Sequence, residues 1–567
     1  MGTETLDIED SFCKKPVRSW SGVLVITIVM KPDKFSCPYN CHYCPNETIA
    51  NGATTDQPRS YLSTEPAVMR ANQNDFDCVR QVWDRLNCLH HNGHTIDKLE
   101  IIVLGGTFSS YPKDYQYAFM RDIYYAANEF RQRPQGRYGD SVYNQRHKRH
   151  RAETDKTDEI DEINGFSRQR GSLEEEQTIN EITKYRIIGI SLETRPDQIT
   201  IYEILRFRKY GCTRVQLGVQ HTDNEILEYV NRGHTVERSI EAIAMLKRYG
   251  FKVDIHVMPD LPGSNPEKDK IMLEKVITSP DFSPDYMKIY PCLDVTFTEI
   301  RKWKESGKWK PYAESAYNDL VDVIVHAKRV SKPWIRFNRI QRDFPPENDT
   351  RVGYTSATIK PNLREYIIKS CKENGVVCQC IRCKEIKNGK MKSKTPIYNL
   401  DTYEASGGIE HFISATNDDK TQLYGFVRLR INSSSRTLRR VAMIRELHVY
   451  GKIVSVKHKN NNSNEVQHKG IGKQLLRHAE ALALCNDCTY VSVISGVGVR
   501  QYYKKFGYQF INDELKYMTK ELQFSLFNFI DMRYNLQFNI FIVDIVLIAI
   551  ALICCFSLFT LRFHFLF

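Results

Sequence analysis

Six short apolar runs between residues 21 and 291 restrict this chain, more than any other feature, to a parallel α/β architecture. They are SGVLVITIVM (21–30), LEIIVLGGTF (99–108), RIIGISLET (186–194), TRVQLGVQ (213–220), FKVDIHVM (251–258) and YMKIYP (286–291). The first is rich in β-branched residues, as a buried strand is. Amphipathic stretches such as NEILEYVNR (224–232) and VERSIEAIAMLKRYG (236–250) separate the runs. Strand–helix alternation of this kind builds βαβ units on a parallel sheet, and six strands suit a partial (βα)6 barrel. Barrel chemistry sits at the C-terminal ends of the strands, so the loop after the first run carries the most information.

That loop reads KFSCPYNCHYCPNE and places Cys37, Cys41 and Cys44 at C-x3-C-x2-C spacing. Three thiolates this close hold three irons of a [4Fe–4S] cube and leave the fourth open to a small molecule. Ferredoxin-type ligation uses four cysteines per cluster. The open-iron arrangement is that of the radical S-adenosylmethionine (SAM) enzymes, in which SAM chelates the free iron. A zinc knuckle would need a second ligand pair downstream, and none follows in the next stretch. The 16 cysteines of the 567-residue chain lack regular spacing and no signal peptide opens it, which argues against a disulfide scaffold and for a reducing compartment. The formal charge of +12 fits a polyanion such as RNA without requiring one.

Beyond the short polar N-terminus (1–19), a radical-SAM domain is expected over 20–345, interrupted at 131–180 by a polar, mostly disordered insertion. A basic stretch within it, Arg146–Arg151, is a candidate RNA-binding arm. In a linker at 346–395, Cys378, Cys380 and Cys383 form C-x-C-x2-C, with Cys371 nearby. That is a three-ligand start to a structural zinc site, the alternative being buried thiols. From 396 to 522 the texture becomes α+β. LYGFVRLRI (423–431) and VAMIRELHVYG (441–451) alternate like antiparallel strands, and Gln467-His468-Lys469-Gly470-Ile471-Gly472-Lys473 runs into a helix. A Gly-rich loop at a helix N-terminus cradles a pyrophosphate, and this pattern is the acetyl-CoA signature of GNAT acetyltransferases. TYVSVISG (489–496) and VRQYYKKFGYQF (499–510) follow where that fold has its last strands. Finally, FNIFIVDIVLIAIALICCFSLFTL (538–561) is long enough for a C-terminal transmembrane helix, interrupted only by Asp544.

A cluster loop and a GNAT domain in one chain resemble the catalytic-subunit family of the Elongator complex, the tRNA wobble-uridine acetyltransferases. The resemblance runs from about Lys15 to Leu522 through KPVRSWSGV, YLSTEPAVMRA, DKLEIIVLGGTF, GISLETRPD, NRGHTVE, HVMPDLPG, MKIYP, RIQRDFP, IRELHVYG, QHKGIG and ISGVGVRQYYKKFGY. It implies cluster ligation by Cys37, Cys41 and Cys44, and contact of Gly105 and Gly106 with the SAM amino group. Glu193 is implied at the SAM ribose. Acetyl-CoA contacts are implied for Lys98, for Glu446, Leu447, His448 and Val449, for Ile471, Gly472 and Lys473, and for Tyr503. Lys288, Glu446 and Tyr503 are the candidate catalytic residues.

The implied reaction cleaves SAM to a 5′-deoxyadenosyl radical that takes hydrogen from the acetyl methyl group. Addition to C5 of uridine 34, oxidation and thioester hydrolysis then give 5-carboxymethyluridine and CoA. The expected partners are the tRNA anticodon loop, other Elongator subunits or a second copy, and a membrane bound through the tail. The expected location is the cytoplasmic face of a membrane, such as an organelle outer membrane, or otherwise the cytoplasm. The alternative is a protein lysine N-acetyltransferase, acting on histone or tubulin through the GNAT domain alone, with Glu446 as general base. Against the family, the first cysteine gap is short and a basic N-terminal extension is nearly absent. The apolar tail is similar to the C-terminal anchors of some protozoan members.

Overall fold

In the computed structural model β1 (Leu24–Val29) opens the first sheet, with Ile26 and Ile28 fully buried. The structure describes residues 13–15, 18–33, 37–131, 168–348, 351–354, 362–386, 391–393, 395–432, 440–451, 470–511 and 515–523. From β1 the chain runs through α1 (Cys78–His91), β2 (Lys98–Leu104), α2 (Lys113–Glu129), α3 (Leu173–Asn180), β3 (Arg186–Thr194) and α4 (Ile201–Lys209). It continues through β4 (Cys212–Gln220), α5 (Val236–Arg248), β5 (Lys252–Val257), α6 (Pro266–Thr278), β6 (Tyr286–Ile289), α7 (Tyr317–Arg329) and β7 (Arg336–Arg339). These strands pair in chain order and all in parallel, a half-barrel of seven strands rather than the six expected. The seventh is RFNR, which has no apolar run to reveal it. Side-chain caps start the helices: Asp77 accepts from the Arg80 N–H, Thr200 from Glu203, Thr235 from Arg238 and Asn265 from Lys268.

Part of the stretch 131–180, expected as a disordered insertion, is ordered. Residues 168–180 belong to the barrel: Ser172 and Glu175 form a capping box for α3, and Arg168 pairs with the buried Glu176 at 2.6 Å. Asn180 then holds the start of β3, accepting from the Ile187 N–H at 2.8 Å. Charge patterning hid this, because the acidic first turn of α3 reads as solvated chain when it is a dipole-matched helix start. Residues 132–167, with Arg146–Arg151, lie outside the described residues.

The second sheet follows α8 (Leu363–Glu373) and comprises β8 (Ile397–Ala405), β9 (Gly408–Thr416), β10 (Leu423–Asn432), β11 (Arg440–Val449), β12 (Cys488–Val493), β13 (Gln509–Phe510) and β14 (Met518–Glu521). Its order is β13-β14-β12-β11-β10-β9-β8, antiparallel except for β11–β12. Helix α9 (Ile471–Cys485) enters between β11 and β12 and packs Leu475, Leu476 and Ala479 into its core. The segment between the sheets is built into both. Ile367 and Cys380 are buried in the barrel core, while Ile381 and Ile386 are buried in the second core. Among the described residues no helix is long and apolar enough to cross a membrane. The run 538–561 lies outside the described residues, as do Gln467, His468 and Lys469.

Charged groups, all fully buried, join the two sheets. Arg445 of β11 pairs with Asp285, just before β6, at 2.8 Å, and its Nη1 donates to the Phe251 carbonyl at 2.7 Å. The same guanidinium holds Glu410 of β9 at 2.9 Å. Burial alone would raise the Asp285 carboxyl, but Arg445, Arg428 and Lys247 around it hold it far below its ordinary range.

Candidate active site

The cysteine loop leaves the C-terminal end of β1. Cys41 is buried, with Arg195 Nη1 3.5 Å and Arg232 Nη1 3.6 Å from its sulfur. Burial would push this thiol up, yet the two guanidiniums, Arg232 foremost, outweigh it and hold the thiol below its ordinary value. Cys44 goes the other way, raised by burial and then by Cys41. Thr107 Oγ1 donates to Cys37 Sγ at 3.2 Å, tying the loop to the end of β2. There Gly106 is left-handed at φ 83°, and a Cβ on it would stand 2.4 Å from the Arg59 carbonyl oxygen. Gly105 is pressed by the Tyr111 hydroxyl, 2.9 Å from where a Cβ would be. Only glycine lets the two loops meet this closely.

Glu193, near the end of β3, accepts from the Tyr61 hydroxyl and stands 3.8 Å from His256 Nδ1. Lys288 on β6 donates to Gln216 Oε1, and Gln216 Nε2 donates to Ser191 Oγ at 2.9 Å. Burial draws the Lys288 ammonium down to about 8, against the pull of Asp254 and Glu193. The same burial, with Lys288 adding to it, keeps His256 neutral.

At the other end of the barrel the second sheet opens. Pairing of β11 with β12 stops at Ile444–Val493, where β12 ends, while β11 runs on to Val449. Glu446, Leu447, His448 and Val449 lie past that point, and Val449 Cγ2 stands 3.4 Å from where a Gly472 Cβ would be. Helix α9 follows Gly470, φ 83°, and among the described residues no side chain caps its first N–H groups at Ile471–Gly472–Lys473, an arrangement suited to an anion. The Tyr502 hydroxyl stands 3.0 Å from where a Gly472 Cβ would be, so tyrosine and glycine form one wall. Tyr503 is buried edge-on to Tyr502 and Tyr508, and burial keeps its phenol protonated. His448 Nε2 lies 2.8 Å from the Ser21 carbonyl, which fixes β11 to the chain entering β1.

Glu446 is the hinge of this end. Its Oε2 accepts from Arg428 Nε at 2.9 Å and its Oε1 from the Tyr286 hydroxyl. Burial alone would raise the carboxyl, but Arg428 prevails and holds it below the ordinary glutamate range. A carboxylate bound at both oxygens and made less basic is a poor proton acceptor.

One cavity of about 1180 Å³ joins the two ends. Lys98, Glu193, Lys288, Glu446, Leu447, His448, Val449, Ile471, Gly472, Lys473 and Tyr503 all line it, together with Tyr43 and Pro45 of the cysteine loop. Cys37, Cys41, Cys44, Gly105 and Gly106 are not part of its wall. Glu100, Arg214, Gln216, Lys252, Asp254, His256 and Tyr286 also line it, and none of them is a site residue expected from the sequence. Their signal was present: polar residues at alternate positions of otherwise apolar strands, as in TRVQLGVQ and FKVDIHVM. Arg214 pairs with Glu100 at 2.7 Å and stacks 5.0 Å over Tyr286, so polar contacts run unbroken from the barrel wall to Glu446.

Away from the cavity, the sulfurs of Cys378, Cys380 and Cys383 lie within 4.8 Å of one another, the only such metal-ligating group among the described residues. Lys328 Nζ lies 3.9 Å from Cys380 Sγ and 3.7 Å from Cys383 Sγ. The three loop cysteines are more widely spread, as ligands to separate irons of a cube must be and ligands to one ion cannot be.

Residues 35–275 match the Radical SAM superfamily, 284–372 the Radical_SAM C-terminal domain and 377–508 the Acetyltransferase (GNAT) family. The tRNA uridine(34) acetyltransferase of Methanocaldococcus infernus is 37% identical over 524 residues, covering 90% of this chain and 87% of its own. That of Dehalococcoides mccartyi is 36% identical, over 90% of this chain and all of its own length. Human Elongator complex protein 3 is 32% identical, over 90% and 86%. The solved structure of archaeal Methanocaldococcus infernus Elp3 with an N-terminal deletion superposes with a TM-score of 0.67 at 32% identity, covering 88% of this chain and all of that one.

Proposed function

We propose, from the premise that this chain belongs to the tRNA uridine(34) acetyltransferase and Elongator complex protein 3 family, that it modifies C5 of the wobble uridine of tRNA. It does so with SAM and acetyl-CoA and forms 5-carboxymethyluridine. The carrying observation is the single cavity that joins the cysteine loop to the uncapped start of α9. A reaction that couples a SAM-derived radical to an acetyl group needs both donors in one enclosed space.

The donor set fits the cluster: three thiols on one loop, with two buried guanidiniums against Cys41 to balance anionic charge. Bound there, the cluster supplies the electron that cleaves SAM. The protein's own residues position and enclose. Gly105 and Gly106 bring backbone up to the loop, and Glu193 is placed to accept ribose hydroxyls. The α9 N-terminus with Lys473 takes the CoA phosphates, with Lys98 facing them from the barrel. Tyr503 and Val449 close over the thioester. A wobble base lies in a single-stranded loop and is splayed out at modest cost. Acetyl transfer to lysine by the GNAT domain alone is disfavoured, because Glu446 is pinned by Arg428 and Tyr286 and made less basic.

Three further assignments belong to this reading. Cys378, Cys380 and Cys383 hold a zinc ion, their sulfurs close enough for one metal. Further Elongator-type subunits or a second copy complete tRNA binding. The apolar run 538–561 anchors the chain to the cytoplasmic face of a membrane, which carbonate extraction tests directly.

The test of the main reading is anaerobic reconstitution with iron, sulfide, SAM, acetyl-CoA and bulk tRNA, followed by nucleoside mass spectrometry. Wild type should yield 5-carboxymethyluridine and 5′-deoxyadenosine, and Cys41→Ala neither. Modified uridine persisting in Cys41→Ala would overturn the radical reading.

A further inference from the structure

On β5, Lys252, Asp254 and His256 stand two residues apart and all line the cavity, marking three depths within it. His256 belongs to the cysteine end, 3.8 Å from Glu193. Lys252 belongs to the acetyl-CoA end, where its charge helps to lower the Glu446 carboxyl. Asp254 lies between them, at the depth where a third reactant must meet the other two. Its side chain is fully buried. Oδ2 accepts from Asn338 Nδ2 at 2.9 Å, while Oδ1 has no hydrogen-bond partner among the described residues. A buried carboxylate oxygen left unpaired is costly, so one on a residue that lines a cavity calls for a donor, which a ligand seated there can bring. Lys288, on the neighbouring strand, is close enough that the Asp254 charge acts on it, and only its bond to Gln216 is made within the wall.

We propose that Asp254 and Lys288 read the Watson–Crick edge of the target uracil, Asp254 Oδ1 accepting from N3–H and Lys288 donating to the adjacent carbonyl O4. This rests on the wobble-uridine reading and adds how the base is chosen. Uracil presents an acceptor beside a donor. Cytosine presents an amino donor beside an acceptor nitrogen, so it would face an ammonium with a donor and a carboxylate with a lone pair. The pair is therefore selective by repulsion as well as by attraction. It also fixes the ring in its plane, which is what delivery of a carbon radical to C5 requires.

The experiment compares single-turnover modification of three tRNAs, carrying uridine, N3-methyluridine or cytidine at position 34, by the reconstituted full chain. With wild type, blocking N3–H should slow modification roughly 10- to 100-fold, the scale of one lost bidentate base contact, and cytidine should fall at least as far. Asp254→Asn should lose a similar factor on uridine and reduce the uridine-to-cytidine ratio by at least tenfold. CoA affinity and melting temperature of Asp254→Asn establish that the variant is folded. The wild-type comparison of uridine with N3-methyluridine stands whether or not it is. Equal rates on those two tRNAs, or an unchanged uridine-to-cytidine ratio in a folded Asp254→Asn, would overturn the assignment while leaving wobble modification intact. A wild type that modifies no uridine 34 would overturn the functional reading and this assignment with it.

Discussion

Replacing Arg445 with methionine removes the cation that joins the two sheets. In the wild type its guanidinium meets Asp285, Glu410 and the Phe251 carbonyl, and all three charged side chains are fully buried. The substitution keeps most of the side-chain volume, so the loss is electrostatic. Two buried carboxylates are left behind, but not bare: Asp285 keeps Arg428 at 3.6 Å and Glu410 keeps Arg430 at 3.0 Å. Removing one partner of a buried pair costs about 3–5 kcal/mol. The surviving cations put this case near the lower bound, about 3 kcal/mol, or a fall in melting temperature of about 5–10 °C. Thermal unfolding of the full chain measures it. The double variant Arg445→Met, Asp285→Asn should recover part of the loss, because it removes the stranded charge as well as its partner. CoA affinity should fall with the single variant, since the cavity wall is shared across this seam. A single variant melting within 2 °C of wild type, or a double variant whose loss is the simple sum, would refute the argument.

Lys247 sits behind the same seam, donating to the Ser283 carbonyl, and burial draws its ammonium down to about 7 from 10.5. Between those values the unfolded chain holds a proton that the folded chain has shed, so stability should rise with pH across that window. Lys247→Met should flatten that rise in denaturant titrations at pH 7 and pH 9. Gly106→Ala meets both a left-handed backbone and the Arg59 carbonyl at 2.4 Å, an immovable neighbour, whereas Gly105→Ala meets the Tyr111 side chain and the Met30 Cβ at 2.9–3.2 Å, with no left-handed backbone. Strain of about 1–3 kcal/mol is expected for Gly106→Ala, so calorimetry should show SAM affinity falling further in it than in Gly105→Ala. On the zinc reading of Cys378, Cys380 and Cys383, elemental analysis should find near one zinc per chain in wild type and none in Cys380→Ser, with iron content unchanged.

The sequence showed most where one local rule was sufficient. Six strands were visible because parallel strands buried on both faces must be nearly all apolar, and the seventh was invisible because RFNR is not. The anion cradle was visible because it needs glycine in a left-handed cap, and Gly470 supplies one at φ 83°. Helix α3 was lost in an acidic run whose capping serine and partner Arg168 act only once the chain has turned back on α2. Asp254, Gln216 and Arg214 were hidden for another reason. A polar residue on the inner face of a barrel looks, in one dimension, like a blemish in a strand. Only closure of the sheet shows that the blemishes share a wall.

The seam follows the same logic at finer scale. In a regular strand, consecutive residues point to opposite faces, so Arg445 and Glu446 should not both reach the barrel. They do: Arg445 meets Asp285 and Phe251, and Glu446 meets Tyr286. The cause is an irregularity in the β10–β11 pairing, where Arg428 faces Glu446 but Leu429 already faces Ile444, leaving Arg445 as the extra residue. One inserted position thus turns two neighbours to the same side. The first locks the sheets together and the second forms part of the cavity wall between them. Docking of the domains and the shape of that wall are therefore set by one bulge, and a displacement at Arg445 must be felt at Glu446, one peptide away.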